Sequence, residues 1–377
     1  MATLSNVIRH LLNHNECVQT ILTAGPDITP LILGEPGCGK STMLQSCAIA
    51  NGDEWRKTGD HFPSDKMVYI YADCSCMDVG DMAMRIPDRE SNTLVSMVSG
   101  LFQMNDPRPK VIMLDEAFKA PKMMQTMFMR LILERVIGDY ALPEGSVVFA
   151  TSNNFTDGVG DAILAHGQNR IMEIEYAKPN ADELNLFFTE NGVSAMTRAW
   201  LAMNRRAMYS YVNCDEEELK TNPFIFNPKK KGAYLSPRSL HKIDTVVVKK
   251  LSKLPERVSE AMIAGMAGHA TSSSMMSFFK MASDIQSIKT VCKDPDGTPL
   301  PEKDAALLLM LFNAIDEITT QNELSAFMKY LQRKGSNMFT ALFFTMALST
   351  KKIMKLARNN IEILDWAKVP GNYQLLI

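Results

Sequence analysis

The feature that most narrows the folds open to this chain is Gly34-Glu35-Pro36-Gly37-Cys38-Gly39-Lys40-Ser41. It fits G-x-x-x-x-G-K-[S/T] in full. It directly follows the apolar run Pro30-Leu31-Ile32-Leu33 and opens a segment with helical spacing from Ser41 to Ala50. A strand, a glycine-rich loop and a helix in that order form a phosphate cradle. Glycines let the backbone curl so that its N–H groups point at phosphate oxygens, and the helix N-terminus adds positive potential. Gly34, Glu35, Pro36, Gly37, Cys38, Gly39, Lys40, Ser41 and the adjoining Thr42 are therefore the candidate nucleotide-binding residues. Lys40 is expected to reach the β- and γ-phosphates, and the Ser41 hydroxyl to bind magnesium. The same N–H groups and Lys40 are expected to favour the Cys38 thiolate.

The rest of the first half supports a loop of this kind. Short apolar runs at Leu31–Leu33, Met67–Ala72, Val111–Leu114, Val147–Ala150 and Ile171–Tyr176 read as strands. Between them, Ser41–Ala50, Asn92–Met104, Pro121–Val136 and Asp161–His166 read as helices. Strand and helix in alternation predict a parallel sheet covered on both faces. From about Asn180 the strand signals stop. Leu184–Asn191, Ser194–Met203, Ser236–Leu251, Glu256–Met266, Ser274–Ser287, Asp304–Ile318, Glu323–Lys334 and Thr340–Ile363 read as helices.

Composition excludes several classes. With 46% apolar and 22% charged residues the 377-residue chain is neither disordered nor collagenous. A net charge of −2 provides no global field toward nucleic acid or acidic lipid. The longest apolar runs, near Ala305–Ile315 and Ala341–Leu348, fall short of the roughly 18–20 residues a membrane span needs. The N-terminus lacks a basic start and an apolar stretch, so no signal peptide is expected. Together these predict a cytoplasmic protein with no membrane partner. Cys74-Ser75-Cys76 has no second close pair to complete a zinc site, and the six histidines form no His-Glu-x-x-His. The 27 methionines are read as flexible core filling.

Two further strand ends carry polar residues. Lys110-Val111-Ile112-Met113-Leu114-Asp115-Glu116 is an apolar strand closing on two carboxylates. Ligands of parallel α/β sheets sit at the carboxyl ends of strands, which brings Asp115 and Glu116 beside the phosphate loop. Asp115 suits magnesium, and Glu116 suits polarising an attacking water. The next strand, Val147-Val148-Phe149-Ala150-Thr151, ends in Ser152-Asn153.

In this order of parts the chain resembles AAA+ ATPases, and most closely their MoxR and dynein-related branch. The likeness is carried by Leu133-Glu134-Arg135, Gly138-Asp139-Tyr140, Leu142-Pro143 and Ala150-Thr151-Ser152-Asn153. It implies that Asn153 is the sensor-one residue, positioning water against the γ-phosphate. Ile163-Leu164 and Asn169-Arg170-Ile171 are similar to the segment whose arginine reaches a neighbouring subunit's nucleotide, although the usual Arg-Phe is here Arg-Ile. Ser236-Pro237-Arg238-Ser239 resembles the sensor-two motif, with Arg238 reporting nucleotide. The resemblance implies an α/β P-loop NTPase fold with a five-stranded parallel sheet in the order 5-1-4-3-2. It further implies a nucleotide-binding core over residues 1–179, a helical lid over 180–290 and a C-terminal helical region over 291–377. ATP and magnesium are the implied cofactors, and a ring, a hexamer, or an open helix of this chain is the implied assembly.

The work done by hydrolysis has three readings. Remodelling of a protein client draws on Asp78–Asp88, where the family carries a substrate-facing loop, with Gly80, Met82, Met84 and Ile86 as contact residues. A nucleic-acid motor or loader draws on Lys229-Lys230-Lys231 with Phe224, Phe226 and Tyr234 nearby, against the chain's charge balance. A nucleotide-controlled scaffold would make the polymer itself the function.

Overall fold

The computed structural model describes residues 10–55, 61–154, 170–282, 285–335, 337–348, 350–358 and 360–368. The chain divides into two compact units, Met1–Lys178 and Pro179–Ile377.

The first unit contains β1 (Leu11–Leu12), α1 (His14–Ala24), β2 (Thr29–Gly34), α2 (Met43–Ala50), β3 (His61–Pro63), β4 (Val68–Asp73), β5 (Ala83–Asp88) and β6 (Thr93–Val98). It continues with β7 (Lys110–Asp115), α3 (Lys122–Glu134), β8 (Val136–Ile137), β9 (Tyr140–Ala141), β10 (Val147–Asn153) and β11 (Ile171–Tyr176). The main sheet runs β1-β11-β2-β10-β7-β4-β3, parallel throughout except for the edge pair β3–β4. Its central strands, β11-β2-β10-β7-β4, are the five read from the sequence, in the 5-1-4-3-2 order. The short β1 and β3 flank them, so among the described residues the sheet has seven strands rather than five.

Strand period explains the layers. In β7, Val111 and Met113 join the core formed with α1 and α2, around Cys17, Ile21, Met43 and Cys47. Ile112 and Leu114 point the other way, into the core formed with α3 around Met124, Phe128 and Leu131. A strand buried on both faces is a continuous apolar run, as its sequence shows.

Two expectations need correction. Asn92–Met104 is not a helix: Thr93–Val98 is β6, antiparallel to β5, followed by a 3-10 turn at Gly100–Phe102. The β-branched Thr93, Val95 and Val98 suit a strand, and Asn92, at φ 51°, makes the reversal from β5. The stretch read as a loop at Asp78–Asp88 is accordingly a capped 3-10 turn, Val79–Asp81, leading into β5. The helix expected over Asp161–His166 lies outside the described residues.

The second unit is helical: α4 (Ala181–Glu190), α5 (Ala195–Met203), α6 (Glu216–Thr221), α7 (Pro237–Val246), α8 (Glu256–Ala267), α9 (His269–Met281), α10 (Ile288–Lys293), α11 (Asp304–Glu317), α12 (Gln321–Gln332), α13 (Asn337–Leu348), α14 (Lys351–Ala357) and α15 (Ile361–Lys368). One apolar cluster runs from α4 to α15. At its centre α11 is buried on every side, from Ala305 through Phe312 to Ile315, and packs on α5, α9, α10 and α13. The single long helix expected over Thr340–Ile363 is instead three. Thr350, extended at ψ 127°, breaks it and caps α14 by accepting from the Ile353 N–H. No helix of the described residues is long and apolar enough to cross a membrane.

Candidate functional site

The phosphate loop follows from β2, which is buried along its whole length and ends at Gly34. Gly37 and Gly39 take φ of 74° and 110°, a region other residues enter only with strain. At Gly34 a side chain would press on the Tyr176 ring at 3.2 Å and the Cys38 Sγ at 3.4 Å. Lys40, Ser41 and Thr42 form a 3-10 turn that passes into α2. The Thr42 hydroxyl closes the turn by donating to Gly39 O at 2.7 Å.

Lys40 is 6% exposed, and its ammonium spends all three donors on the protein. It donates to Gly34 O at 2.7 Å, to Glu35 O at 2.9 Å and to Asn153 Oδ1 at 3.0 Å. The Asn153 amide in turn donates to Glu116 Oε1 at 3.1 Å. The other oxygen, Oε2, lies 2.8 Å from Lys119 Nζ. This is a charge contact without hydrogen-bond alignment, since Oε2 accepts no hydrogen bond among the described residues. Loop lysine, strand-end asparagine and carboxylate thus form one continuous chain across three strand ends. Glu116 holds φ 54°, a left-handed conformation that costs a non-glycine residue on the order of 1–3 kcal/mol and is concentrated at functional sites.

Asp115 sits one residue earlier, at the end of β7. Its Oδ2 accepts from Tyr71 OH at 2.7 Å and its Oδ1 from Thr151 Oγ1, so the neighbouring strands β4 and β10 fix the carboxylate from both sides. Lys40, Asp115, Glu116 and Asn153 are therefore brought together as the sequence suggests. Tyr71, Thr151 and Lys119 belong to the same cluster and were not foreseen. Tyr71 and Thr151 follow from pairing register alone: Tyr71 lies opposite Met113 and Thr151 opposite Asp115.

Three further candidates differ in setting. Arg170 is exposed and precedes β11, whose Ile171 pairs with Thr29 at the start of β2. That places it at the opposite end of the sheet from the loop. Arg238 is exposed in the first turn of α7, in the second unit, behind a capping box between Ser236 and Ser239. Cys38 departs from expectation. It is 2% exposed, and burial pushes its thiol up more than Lys40 pulls it down, so the loop does not favour the thiolate.

No protein-family model matches the chain, and no curated protein matches it in sequence. Solved structures give loose likenesses. Thermotoga maritima RuvB, a Holliday junction branch migration motor, is 15% identical over 85% of this chain and 87% of its own, with a TM-score of 0.33. C. elegans PCH-2 is 12% identical over 72% and 68%, TM-score 0.31. Brucella abortus NtrX is 11% identical over 70% and 67%, TM-score 0.30. The α/β P-loop architecture of the first unit stands on its own strand order and loop geometry.

Proposed function

We propose that this chain is an AAA+ ATPase of the MoxR-like kind, a cytoplasmic, magnesium-dependent enzyme that hydrolyses ATP to ADP and phosphate. In this reading it assembles with copies of itself, as a closed ring or an open helix, and remodels a protein client. The observation that carries the reading is the hydrogen-bonded chain from Lys40 through Asn153 to Glu116 at the carboxyl ends of β2, β10 and β7.

The roles follow from chemistry and position. The loop N–H groups and Lys40 bind the phosphates, Lys40 exchanging an internal acceptor for a phosphate oxygen. Ser41 and Asp115 offer the hydroxyl and carboxylate oxygens that a hard cation prefers, and Tyr71 and Thr151 already orient the carboxylate. Magnesium, when bound, neutralises phosphate charge. Glu116 takes the proton of the attacking water, and Asn153 orients that water. Arg170 serves a neighbouring subunit, and Arg238 senses nucleotide from a helical lid over 180–290, with 291–377 as a further helical region.

A protein client is favoured by the β5–β6 hairpin, which exposes Met84, Leu94 and Met97 at 58–61%. Near the lysine turn, by contrast, Tyr211, Phe226 and Tyr234 pack on one another, with centroids 5.3 and 4.6 Å apart, and offer no free stacking platform.

Glu116→Gln should retain Mg–ATP binding and lose at least ~10²-fold in hydrolysis, the scale of a missing general base. Lys40→Ala should lose binding. Wild-type turnover in Glu116→Gln would remove the assignment. A pull-down with Glu116→Gln in ATP should retain the client, whereas nucleotide-dependent polymers without one would favour the scaffold.

A further inference from the structure

The phosphate loop contains a buried carboxylate. Glu35 Oε2 lies 3.5 Å from Lys178 Nζ, with the two side chains 4% and 2% exposed. Lys178 follows β11, whose Glu175 pairs with Leu33 of β2, so the residues after both strands emerge at the same end of the sheet. The backbone of Glu35 already serves the site, since its carbonyl accepts from Lys40. Glu35, Lys40 and Lys178 all act electrostatically on the buried Cys38 thiol, so three charges converge on the loop. A carboxylate in this place opposes a polyanion, and buried charges persist only when paired.

We propose that Lys178 is a positioning residue of the phosphate site: by pairing with Glu35 it cancels a negative charge inside the loop and holds the loop in register with the end of β11. This rests on the reading of the loop as a triphosphate site. The pair also has a place in the chain that adds consequence, because Lys178 is the last residue of the first unit. Any displacement of the chain at that point draws on the partner of a loop residue.

The test is a double-mutant cycle on Mg–ATP binding, followed with a fluorescent ATP analogue, on the full chain. Lys178→Met should weaken binding at least ~10-fold by removing the positive charge that faces Glu35, with KM raised more than kcat is lowered. In a Glu35→Gln background the same lysine substitution should change binding by less than about threefold, because no charge remains to be cancelled. Lys178→Arg should restore the wild-type affinity. Equal losses in both backgrounds would overturn the proposal, as would unchanged binding in Lys178→Met. If Lys178→Met does not fold, Glu35→Gln with and without Lys178→Met decides alone: a tenfold or larger difference there overturns it. Failure of the wild-type chain to bind Mg–ATP at all would instead overturn the triphosphate reading, and this proposal with it.

Discussion

Strand length makes a quantitative statement about Arg170. Ile171 pairs with Thr29, and the phosphate loop begins at Gly34, five residues along β2. At about 3.3 Å per residue that is roughly 16–17 Å of sheet. A fully extended arginine side chain spans roughly 7 Å from Cα to guanidinium, summing its bonds. Arg170 therefore falls short of its own loop and can act on phosphate only in another copy of the chain, across a head-to-tail interface. Arg170→Ala then leaves a subunit with an intact site but nothing to offer its neighbour, and Glu116→Gln leaves the reverse. Each variant alone should be nearly inactive, the arginine loss costing up to ~10³–10⁵-fold by analogy with other arginine fingers. Mixed one to one with free exchange, an interface is complete when an Arg170→Ala site meets a Glu116→Gln neighbour. By chance that is about a quarter of interfaces, so ATPase activity should recover to about a quarter of the wild-type rate. The assay is steady-state ATP hydrolysis across a titration of one variant into the other, with co-assembly confirmed by tag pull-down. Activity that never exceeds the sum of the two variants, despite confirmed mixing, would refute the trans role.

Three further outcomes are expected. Because burial holds the Cys38 thiol up, brief maleimide treatment of the native protein should label the exposed Cys76 and spare Cys38, read by mass spectrometry; equal labelling would contradict the buried loop. Asp106 is held down to about 2, first by hydrogen bonds from Arg108, below its unfolded value of about 3.9. Its stabilising contribution is thus present above pH ~4 and lost as pH falls through about 2, so Asp106→Asn should lower Tm modestly at pH 7 and the difference should shrink toward pH 2. Gly138, at φ 60°, would bring a Cβ within 2.7 Å of Ser96 Cβ, so Gly138→Ala should cost about 1–3 kcal/mol in chemical denaturation, and a neutral result would discount that contact.

The phosphate loop was legible because its chemistry is local: three glycines, a lysine and a hydroxyl within eight residues, between a strand and a helix. Asp115, Glu116 and Asn153 were legible for a related reason, since each closes an apolar strand at the end where a parallel sheet gathers its ligands. Tyr71, Thr151 and Lys178 were not. Each meets its partner through sheet register across a long stretch of chain, which leaves no local pattern. The β5–β6 hairpin was misread because Leu94, Val95, Val98, Leu101 and Phe102 also fit a helical stripe. Pairing with β5 decided between two periods that the residues alone left open. The break between α13 and α14 was missed because Lys351, Lys352, Ile353 and Met354, just past Thr350, are compatible with a continuing helix.

The burial of α11 has a consequence for how the chain is made. Arg198 of α5 is buried with its guanidinium paired to Asp316 and lying 5.2 Å over the Phe312 ring, both from α11. Those partners leave the ribosome about a hundred residues after α5 does, a delay of roughly 5–20 s at ordinary translation speeds. During that interval Arg198 has neither the Asp316 carboxylate nor the Phe312 ring, whereas Trp200 meets Phe224 and then Ser274 before α11 is made. A chain that stops between α9 and α11 would lack the helix around which the helical unit packs, and Arg198 would lack its carboxylate partner.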